Sequence, residues 1–257
     1  MTAVGARYAR IAGELREQIR LGVLKAGDRL PTEGEIQTLY SVSRNTARNA
    51  IGLLVSEGLV ETRRGNAGGP VVRGRSSLTY FASRAENLGR PGESDAFYGE
   101  ALAQGLAPSQ TLTVLTLALP VEIAGLLHLD AGAEAVLRRC VRRVNDRPNS
   151  IQDSWYPLPL AQRVPELLHT DNIREGTTRL LDRRGVEQVA FLDQNVARMP
   201  SMEEKRMLEL GPGTPVFEHR RTGYAPDRSP VRVSVNIFAG TVVAYTLGDE
   251  SALPGDL

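Results

Sequence analysis

The stretch from Val42 to Val55 constrains the fold of this chain more than any other part of its sequence. Its apolar residues recur at intervals of three and four, so they fall along one side of an α-helix. They are Ala47, Ala50, Ile51, Leu54 and Val55. The opposite side carries Arg44, Asn45, Arg48 and Asn49. Ser43 precedes the pattern, where its hydroxyl can cap the helix by accepting a hydrogen bond from the first turn.

The polar side chains crowd the N-terminal half of this helix, which is the half that a DNA-recognition helix inserts into the major groove. Arginine can bind guanine through two hydrogen bonds and asparagine can bind adenine in the same way. The positive end of the helix dipole also favours phosphate. A charged helix face is more often simply hydrated, so the flanking sequence decides between the two interpretations.

The residues upstream predict the first helices of a helix-turn-helix. Apolar residues repeat every four positions over Tyr8–Leu21, which predicts a first helix ended by Gly22. Thr32 and Glu35 have the spacing of a capping box, which predicts the start of a second, short helix. Three residues after Tyr40 remain for the turn into the polar helix, as a helix-turn-helix requires.

The residues downstream predict a β-hairpin beside the polar helix. Leu59–Arg63 and Pro70–Arg73 have strand composition, and Arg64–Gly69 forms a glycine-rich tip between them. The hairpin carries arginines next to the polar helix, so we expect them to contact DNA phosphate, the alternative being ordinary surface charge. These elements together predict a winged helix-turn-helix over residues 1–73.

The distribution of charge agrees with this interpretation. The first 75 residues hold 12 Lys and Arg against 7 Asp and Glu, a net charge of +5, although all 257 residues together carry only +1. A basic excess confined to one module is typical of nucleic-acid-binding domains.

Residues from Tyr8 to Arg73 resemble the winged helix-turn-helix of the GntR family of bacterial transcription regulators. The motifs that carry the resemblance are Gly22-x-Leu24-x-x-Gly27-Asp28-x-Leu30-Pro31-Thr32-Glu33, Val42-Ser43-Arg44-x-Thr46-x-Arg48 and Glu57-Gly58-Leu59-Val60. The resemblance implies operator contacts from Arg44, Asn45, Thr46, Arg48 and, in the wing, Gly65. With these, the predicted DNA-binding residues include Asn49, Thr32, Arg63 and Arg64.

Two departures from the family indicate an operator unlike its commonest ones. Gly34 stands where the family usually has Arg, so one expected contact is missing. Residues 65–70 also differ from the usual Gly-Arg-Gly-Thr tip of the wing.

Beyond Arg73 the small polar residues predict a linker over residues 74–80, followed by a second domain over residues 81–250. A faint repeat with a period of about 80 residues runs through that domain, in copies over Pro120–Tyr156 and Pro200–Phe238. Each copy reads helix, glycine turn, strand, Asp/Pro turn and strand. Two such units predict one antiparallel sheet with helices on one face, in an α+β protein. A helix over Ile173–Arg184 and a strand over Val186–Ala197 are expected between the copies.

This order of elements resembles the UTRA effector-sensing domain of the HutC branch of the GntR family, whose fold is shared with chorismate lyase. The resemblance covers roughly residues 78–247. The other common partner domain of the family is all-helical and often binds metal through several histidines. The paired hairpins argue against that domain, and His128, His169 and His219 stand too far apart in sequence to predict a metal site.

The UTRA resemblance implies a small-molecule pocket between the two halves of the sheet. The matching positions, our predicted effector-binding residues, are Ser83 and Arg84 on the segment that enters the domain, Arg138 and Arg143 on the first hairpin, and Gln152 and Ser154 on its return strand. A guanidinium suits a phosphate or a carboxylate. For Arg139 and Arg142 exposure on a strand is an equally good interpretation.

Several positions argue against a sugar ligand. Family members that bind sugar phosphates carry Glu on the return strand of each hairpin. This chain has Gln152 at that position in the first copy of the repeat and Val235 in the second. Near the end, Thr241-Val242-Val243 replaces an Asp-Arg-Tyr-like stretch. We therefore expect a ligand that is more apolar or carries only an acidic head group, or else a domain that mainly dimerises.

These features predict a transcription regulator that binds a palindromic operator in double-stranded DNA as a homodimer and responds to an effector. We expect it to be a repressor, because repression is the usual mode of the family that it resembles. A ligand-independent repressor is the alternative. An enzyme is the rival class, but no paired carboxylates or Ser/His/Asp set point to catalysis, so no catalytic residue or cofactor is predicted.

The strand-like neighbours of Cys140, the single cysteine, predict a buried structural thiol. No run of about 18 apolar residues occurs, which predicts a cytoplasmic protein without a membrane partner.

Overall fold

A computed structural model of the chain describes residues 3–63, 69–74, 78–85, 95–248 and 252–253. Contacts divide the chain into two compact units. The first is Met1–Arg75 with Met199–Lys205 and Glu209–Pro215, and the second comprises the rest of the chain. Among the described residues, no helix combines the length and the apolar character needed to cross a membrane.

The described helices are α1 (Ala3–Arg20), α2 (Glu33–Tyr40), α3 (Arg44–Ser56), α4 (Ala96–Ala103), α5 (Val121–Leu126), α6 (Leu158–Arg163), α7 (Thr177–Arg183) and α8 (Met202–Met207), with 3-10 helices at Ala82–Arg84 and Pro165–Leu168. The described strands are β1 (Val60–Arg63), β2 (Gly69–Val72), β3 (Thr79–Phe81), β4 (Pro108–Ala118), β5 (Glu134–Val144), β6 (Arg147–Pro157), β7 (Ala190–Arg198), β8 (Val216–Tyr224), β9 (Pro230–Phe238) and β10 (Val242–Ala244).

The first unit is a winged helix-turn-helix, as the sequence predicts. Thr32 and Glu35 form the capping box of α2, because Thr32 Oγ1 accepts from the Glu35 amide at 3.3 Å and the Glu35 carboxylate accepts from the Thr32 amide at 2.6 Å. Ser41, with a φ of +50°, turns the chain out of α2, and the hydroxyl of Ser43 caps α3. Strands β1 and β2 pair antiparallel from Val60, opposite Val72, to Arg63, opposite Gly69.

One apolar core holds this unit together. It draws fully buried side chains from all three helices and both strands, so each element contributes the face that its sequence pattern made apolar. The core consists of Ile11, Ala12, Leu15, Leu30, Ile36, Ala47, Ala50, Leu54, Val60 and Val72.

The second unit is built on a six-stranded antiparallel sheet in the order β4-β5-β6-β9-β8-β7. The two halves of the predicted repeat meet where β6 pairs with β9, and Ser154 lies opposite Ser234 at that seam. The hairpin between β5 and β6 turns at Asn145 and Asp146, both with positive φ, as a two-residue hairpin turn requires. Strands β3 and β10 form a separate parallel pair.

Helices cover both faces of this sheet, so the prediction of helices on one face is wrong. On one face, α6 and α7 pack in a core with Val136 and Tyr156. On the other, α5 packs in a core with Leu137 and Trp155. The reason is local: β5 and β6 each carry large apolar residues at successive positions, which point to opposite faces of a strand. Both faces therefore need an apolar partner.

Candidate nucleic-acid interface and effector cavity

The N-terminal half of α3 exposes a polar surface. Arg44, Asn45, Arg48 and Asn49 are all exposed, whereas the apolar side of the same helix is buried in the core of the first unit. Four of the predicted DNA-binding side chains therefore lie together on one face of one helix.

Thr46 differs from the expectation. Its side chain is buried, and its hydroxyl lies 2.9 Å from that of Ser43, whose oxygen also accepts a hydrogen bond from the Thr46 amide. Position 46 faces the inner side of the first helical turn, where it completes the N-cap. Its side chain therefore does not join the exposed polar surface.

Thr32 and the wing complete the predicted interface. The Thr32 hydroxyl is engaged with Glu35, and the hydrogen bonds from Thr32 hold the pKa of the Glu35 carboxyl below its usual range. Arg63 is the last residue of β1, and Arg64 and Gly65 lie outside the described residues. Arg29, which sequence reasoning missed, is exposed and forms a β-bridge to β2.

Glu33 is a second residue that the sequence did not single out. Its carboxylate accepts a hydrogen bond from Arg44 Nε at 3.0 Å, so the first residue of α2 contacts the first residue of α3. The Arg44 side chain is 81% exposed and that of Glu33 is 35% exposed. Glu33 lies between the two capping-box residues, Thr32 and Glu35, and the sequence pattern gives no sign of its contact with a residue eleven positions later.

The second unit contains a cavity of about 100 Å³ on the face of the sheet that α7 covers. Its wall includes four of the predicted effector-binding residues, which are Arg84, Arg138, Gln152 and Ser154. Arg142, Cys140 and Tyr156 also line it. The volume is several times that needed by one water molecule, so a compact ligand fits.

Arg138 is buried in the cavity wall, and its guanidinium is occupied by the main chain. It donates hydrogen bonds to the carbonyl oxygens of Glu166, Leu167, His169 and Asp171 at 3.3, 2.9, 2.6 and 3.0 Å. Burial lowers the pKa of this guanidinium. Arg138 therefore fixes the loop between the 3-10 helix at Pro165–Leu168 and α7, rather than presenting free donors to a ligand.

Arg142 takes the place that was predicted for Arg143. Arg142 is buried, stacks over the Phe97 ring at 4.8 Å and lies 3.8 Å from the Asp95 carboxylate. Its Nε has no hydrogen-bond partner among the described residues. Arg143 follows it across an irregularity in the strand pairing, and it donates to Thr111 Oγ1 at 3.2 Å on the opposite face of the sheet. Alternation along β5 therefore excludes Arg143 from the cavity.

Three further predicted residues, Ser83, Ser154 and Arg84, have partners within the unit. Ser83 accepts a hydrogen bond from the Thr246 amide at 2.9 Å and does not line the cavity. The hydroxyls of Ser154 and Ser234 lie 3.2 Å apart across the central seam. Arg84 stacks over the ring of Phe81 at 3.7 Å. Tyr156 is a further residue that sequence reasoning missed, and its buried hydroxyl has no partner among the described residues.

Cys140 lines the cavity and is partly exposed, so the prediction of a buried structural thiol is only partly right. Burial still raises the pKa of this thiol, despite the guanidinium groups nearby.

A second charged cluster joins β7 and β8. Asp193 accepts two hydrogen bonds from Arg221, at 2.6 and 2.5 Å, and lies 3.2 Å from Nε2 of the buried His219. Burial raises the pKa of the Asp193 carboxyl, but hydrogen bonds from Arg221 and His219 outweigh that effect and hold it well below its usual range. Within the described residues no three His, Cys, Asp or Glu side chains are grouped as metal ligands.

Comparisons with known proteins agree with both units. Residues 7–68 match the profile described as "Bacterial regulatory proteins, gntR family", and residues 103–243 match that of the UTRA domain. An uncharacterised HTH-type transcriptional regulator of Streptomyces coelicolor is 28% identical, over 93% of this chain and 91% of its own. The mannosyl-D-glycerate transport/metabolism system repressor MngR of Escherichia coli is 26% identical, over 93% of this chain and 94% of its own.

Solved structures give the same result. The crystal structure of a GntR-family transcriptional regulator is 27% identical and superposes with a TM-score of 0.62, covering 95% of this chain and 98% of the other. That of PhnF from Mycobacterium smegmatis is 25% identical, with a TM-score of 0.55 over 93% of this chain and all of the other. The chain therefore belongs to the GntR family of bacterial transcription regulators, in the HutC branch whose members carry a UTRA domain.

Proposed function

We propose that this regulator is a repressor that binds a palindromic operator as a homodimer and releases it when a small anion occupies the cavity of the second unit. In this proposal residues 1–73 bind DNA, residues 74–80 form the linker and residues 81–250 bind the effector and dimerise. The observation that carries the proposal is the exposed polar surface of α3, whose opposite side is anchored in the core. Related proteins include the repressors MngR and PhnF.

The dimer follows from the size of the polar surface. Four exposed side chains on α3 can read only a few base pairs, which is too little for useful specificity among genomic sites. A two-fold dimer places two such helices in successive major grooves and doubles the number of base contacts. A palindromic operator is the DNA counterpart of that symmetry.

The chemistry of the cavity favours an anion. Arg142 Nε and the hydroxyl of Tyr156 are buried donors without a partner among the described residues. A buried donor left unsatisfied costs about 1–3 kcal/mol, so a ligand that accepts these hydrogen bonds gains that energy. A carboxylate or a phosphate is such an acceptor. The cavity volume of about 100 Å³ limits the ligand to a compact molecule.

The first test is selection of bound sequences from random duplex DNA with the purified full-length protein, followed by gel-shift titration at two salt concentrations. Enrichment of a palindrome and salt-sensitive binding are expected, because phosphate contacts release counterions. Enrichment of a single half-site would contradict the dimer. No enrichment, with or without candidate anions, would contradict sequence-specific binding.

Ligand-independent repression is a second candidate, and one observation favours it. Several polar groups of the cavity already have partners within the unit: Arg138 binds main-chain carbonyls, Ser154 contacts Ser234, and Arg232 donates to Thr177. Thermal unfolding with a panel of small carboxylates and phosphates separates the candidates. Stabilisation by a panel member that is lost in Arg142→Ala supports an effector, and an unchanged Tm across the panel supports the ligand-independent protein.

A further inference from the structure

We propose that Glu33 is a positioning residue for base recognition: it holds the guanidinium of Arg44 toward a base edge and away from the DNA backbone. This inference rests on the proposed function, because it requires α3 to read DNA. It assigns a specificity role to a carboxylate in the first turn of α2 that the capping box of Thr32 and Glu35 does not use.

The hydrogen bond between Glu33 and Arg44 leaves the two terminal nitrogens of the guanidinium available to a base. Glu33 accepts only from Nε, at 3.0 Å, and the two terminal nitrogens of Arg44 have no partner among the described residues. Those two nitrogens are the pair that can bind guanine bidentately. A hydrogen bond at Nε therefore restricts the direction of the guanidinium plane without using the donors that read the base.

The charge of Glu33 points to the same role. A carboxylate beside the exposed polar surface of α3 repels phosphate, so Glu33 weakens binding to DNA of any sequence. A long arginine without this partner is free to bind phosphates, which carry no sequence information. The carboxylate thus lowers general affinity and raises discrimination, which are opposite effects that an experiment can separate.

Glu35 provides a matched control. It lies in the same first turn of α2, is also acidic, and directs its carboxylate to Thr32 rather than to α3. Glu35→Gln removes the same charge from the same turn while leaving the contact with Arg44 unchanged. Glutamine is also accepted at this position of a capping box.

The experiment uses full-length wild type, Glu33→Gln, Glu35→Gln, Arg44→Ala and the double variant Glu33→Gln/Arg44→Ala, each checked for an unchanged thermal unfolding profile. Each is titrated with the duplex that wild type selects from random DNA and with a shuffled duplex of the same length and composition. The quantity compared is the specificity ratio, which is the dissociation constant for the shuffled duplex divided by that for the selected duplex, at a fixed salt concentration.

We expect Glu33→Gln to lower this ratio roughly tenfold, mainly by tighter binding to the shuffled duplex. Glu35→Gln is expected to change both affinities in parallel and keep the ratio. In the Arg44→Ala background, Glu33→Gln is expected to have no further effect on the ratio, because there is no guanidinium left to position.

The outcomes separate this inference from the proposed function. If Arg44→Ala lowers the ratio and Glu33→Gln leaves it at the value of Glu35→Gln, Glu33 contributes charge alone and the inference is overturned while the proposed function stands. An equal effect of Glu33→Gln with and without Arg44 overturns it as well. If wild type selects no sequence, or if Arg44→Ala keeps the wild-type ratio, the reading of DNA by this part of α3 fails and the positioning role fails with it.

Discussion

At the scale of single residues, arginine serves two opposite purposes in this protein. Arg44 is almost fully exposed and held by one carboxylate, so its charge remains available to an external partner. Arg138 is buried and donates to four main-chain carbonyls of its own unit. The sequence shows the same residue type in both places, and only the number and kind of internal partners distinguish the arginine proposed to read DNA from the one that supports the fold.

Loss of Arg138 is expected to destabilise the second unit. Arg138→Ala leaves four carbonyl oxygens without this donor and opens a space in the cavity wall, so we expect the free energy of unfolding to fall by about 3 kcal/mol. Urea unfolding followed by fluorescence reports on this unit, because Trp155, buried within it, is the single tryptophan of the chain. Arg143→Ala, on the opposite face of the same strand, is the control and is expected to change stability by less than about 0.5 kcal/mol. Equal effects of the two variants would contradict a structural role for Arg138.

Asp193 gives a prediction about pH. Its pKa is lowered in the folded protein, so the unfolded chain takes up a proton first as the pH falls. The stabilisation is therefore fully present above the ordinary pKa of aspartate, about 3.9, and is lost as the pH falls from there toward the lower folded value.

We expect Asp193→Asn to be about 3 kcal/mol less stable than wild type near neutral pH, because Arg221 stays buried without its carboxylate. That margin should shrink below a pH of about 4, measured by urea unfolding at a series of pH values. Asp146→Asn, in the exposed turn between β5 and β6, serves as a control with a small margin throughout. A margin for Asp193→Asn that stays constant down to pH 3 would show that its ionisation is not linked to folding.

At the scale of elements, the repeat places equivalent arginines at equivalent positions of the two half-sheets. Arg138 lies opposite Ser154 on the neighbouring strand, and Arg221 lies opposite Ser234. The first donates its hydrogen bonds to uncharged main-chain carbonyls, whereas the second forms an ion pair with Asp193. The two halves therefore share a strand arrangement but stabilise their buried guanidinium groups with different partners.

The sequence predicted local order well, because periodicity and capping act over a few residues. The capping box at Thr32, the cap at Ser43 and the two helix-hairpin units are all present. What it missed depends on contacts between distant elements or on strand register. The pair of Glu33 with Arg44 crosses a turn, and the exchange of Arg142 for Arg143 follows from which face each residue occupies.

The exposed side of α3 gives a prediction at this scale. Arg48→Ala should weaken binding to the selected palindrome by about 1–3 kcal/mol while leaving thermal unfolding unchanged, because the side chain is exposed and makes no contribution to the core. Arg10→Ala is the matched control, since it removes one exposed arginine of the same unit from α1. Gel-shift titration of both variants decides the outcome: equal binding by Arg48→Ala and Arg10→Ala would show that this side of α3 does not read the operator.

At the scale of the whole molecule, the two units divide the chemistry of the chain. The first exposes polar side chains on one face of a helix, and the second encloses a small cavity lined by polar side chains. Communication between the units is therefore best tested by equilibrium binding, since an effector and an operator that favour different states of one protein must affect each other.

This reciprocity yields the last prediction. The anion that most raises the Tm of the protein should lower its affinity for the selected palindrome, by a coupling free energy of about 1–3 kcal/mol. Saturating palindrome should then lower the affinity for that anion by the same factor, because the four equilibria form a closed cycle. Isothermal titration of the anion into free and DNA-bound protein, beside gel-shift titration with and without the anion, measures all four. Arg142→Ala should abolish the response to the anion but preserve operator binding in its absence. If the two affinities change by different factors, the anion acts elsewhere, for instance on the DNA. If neither affinity changes, the anion is not an effector and the protein is a ligand-independent repressor.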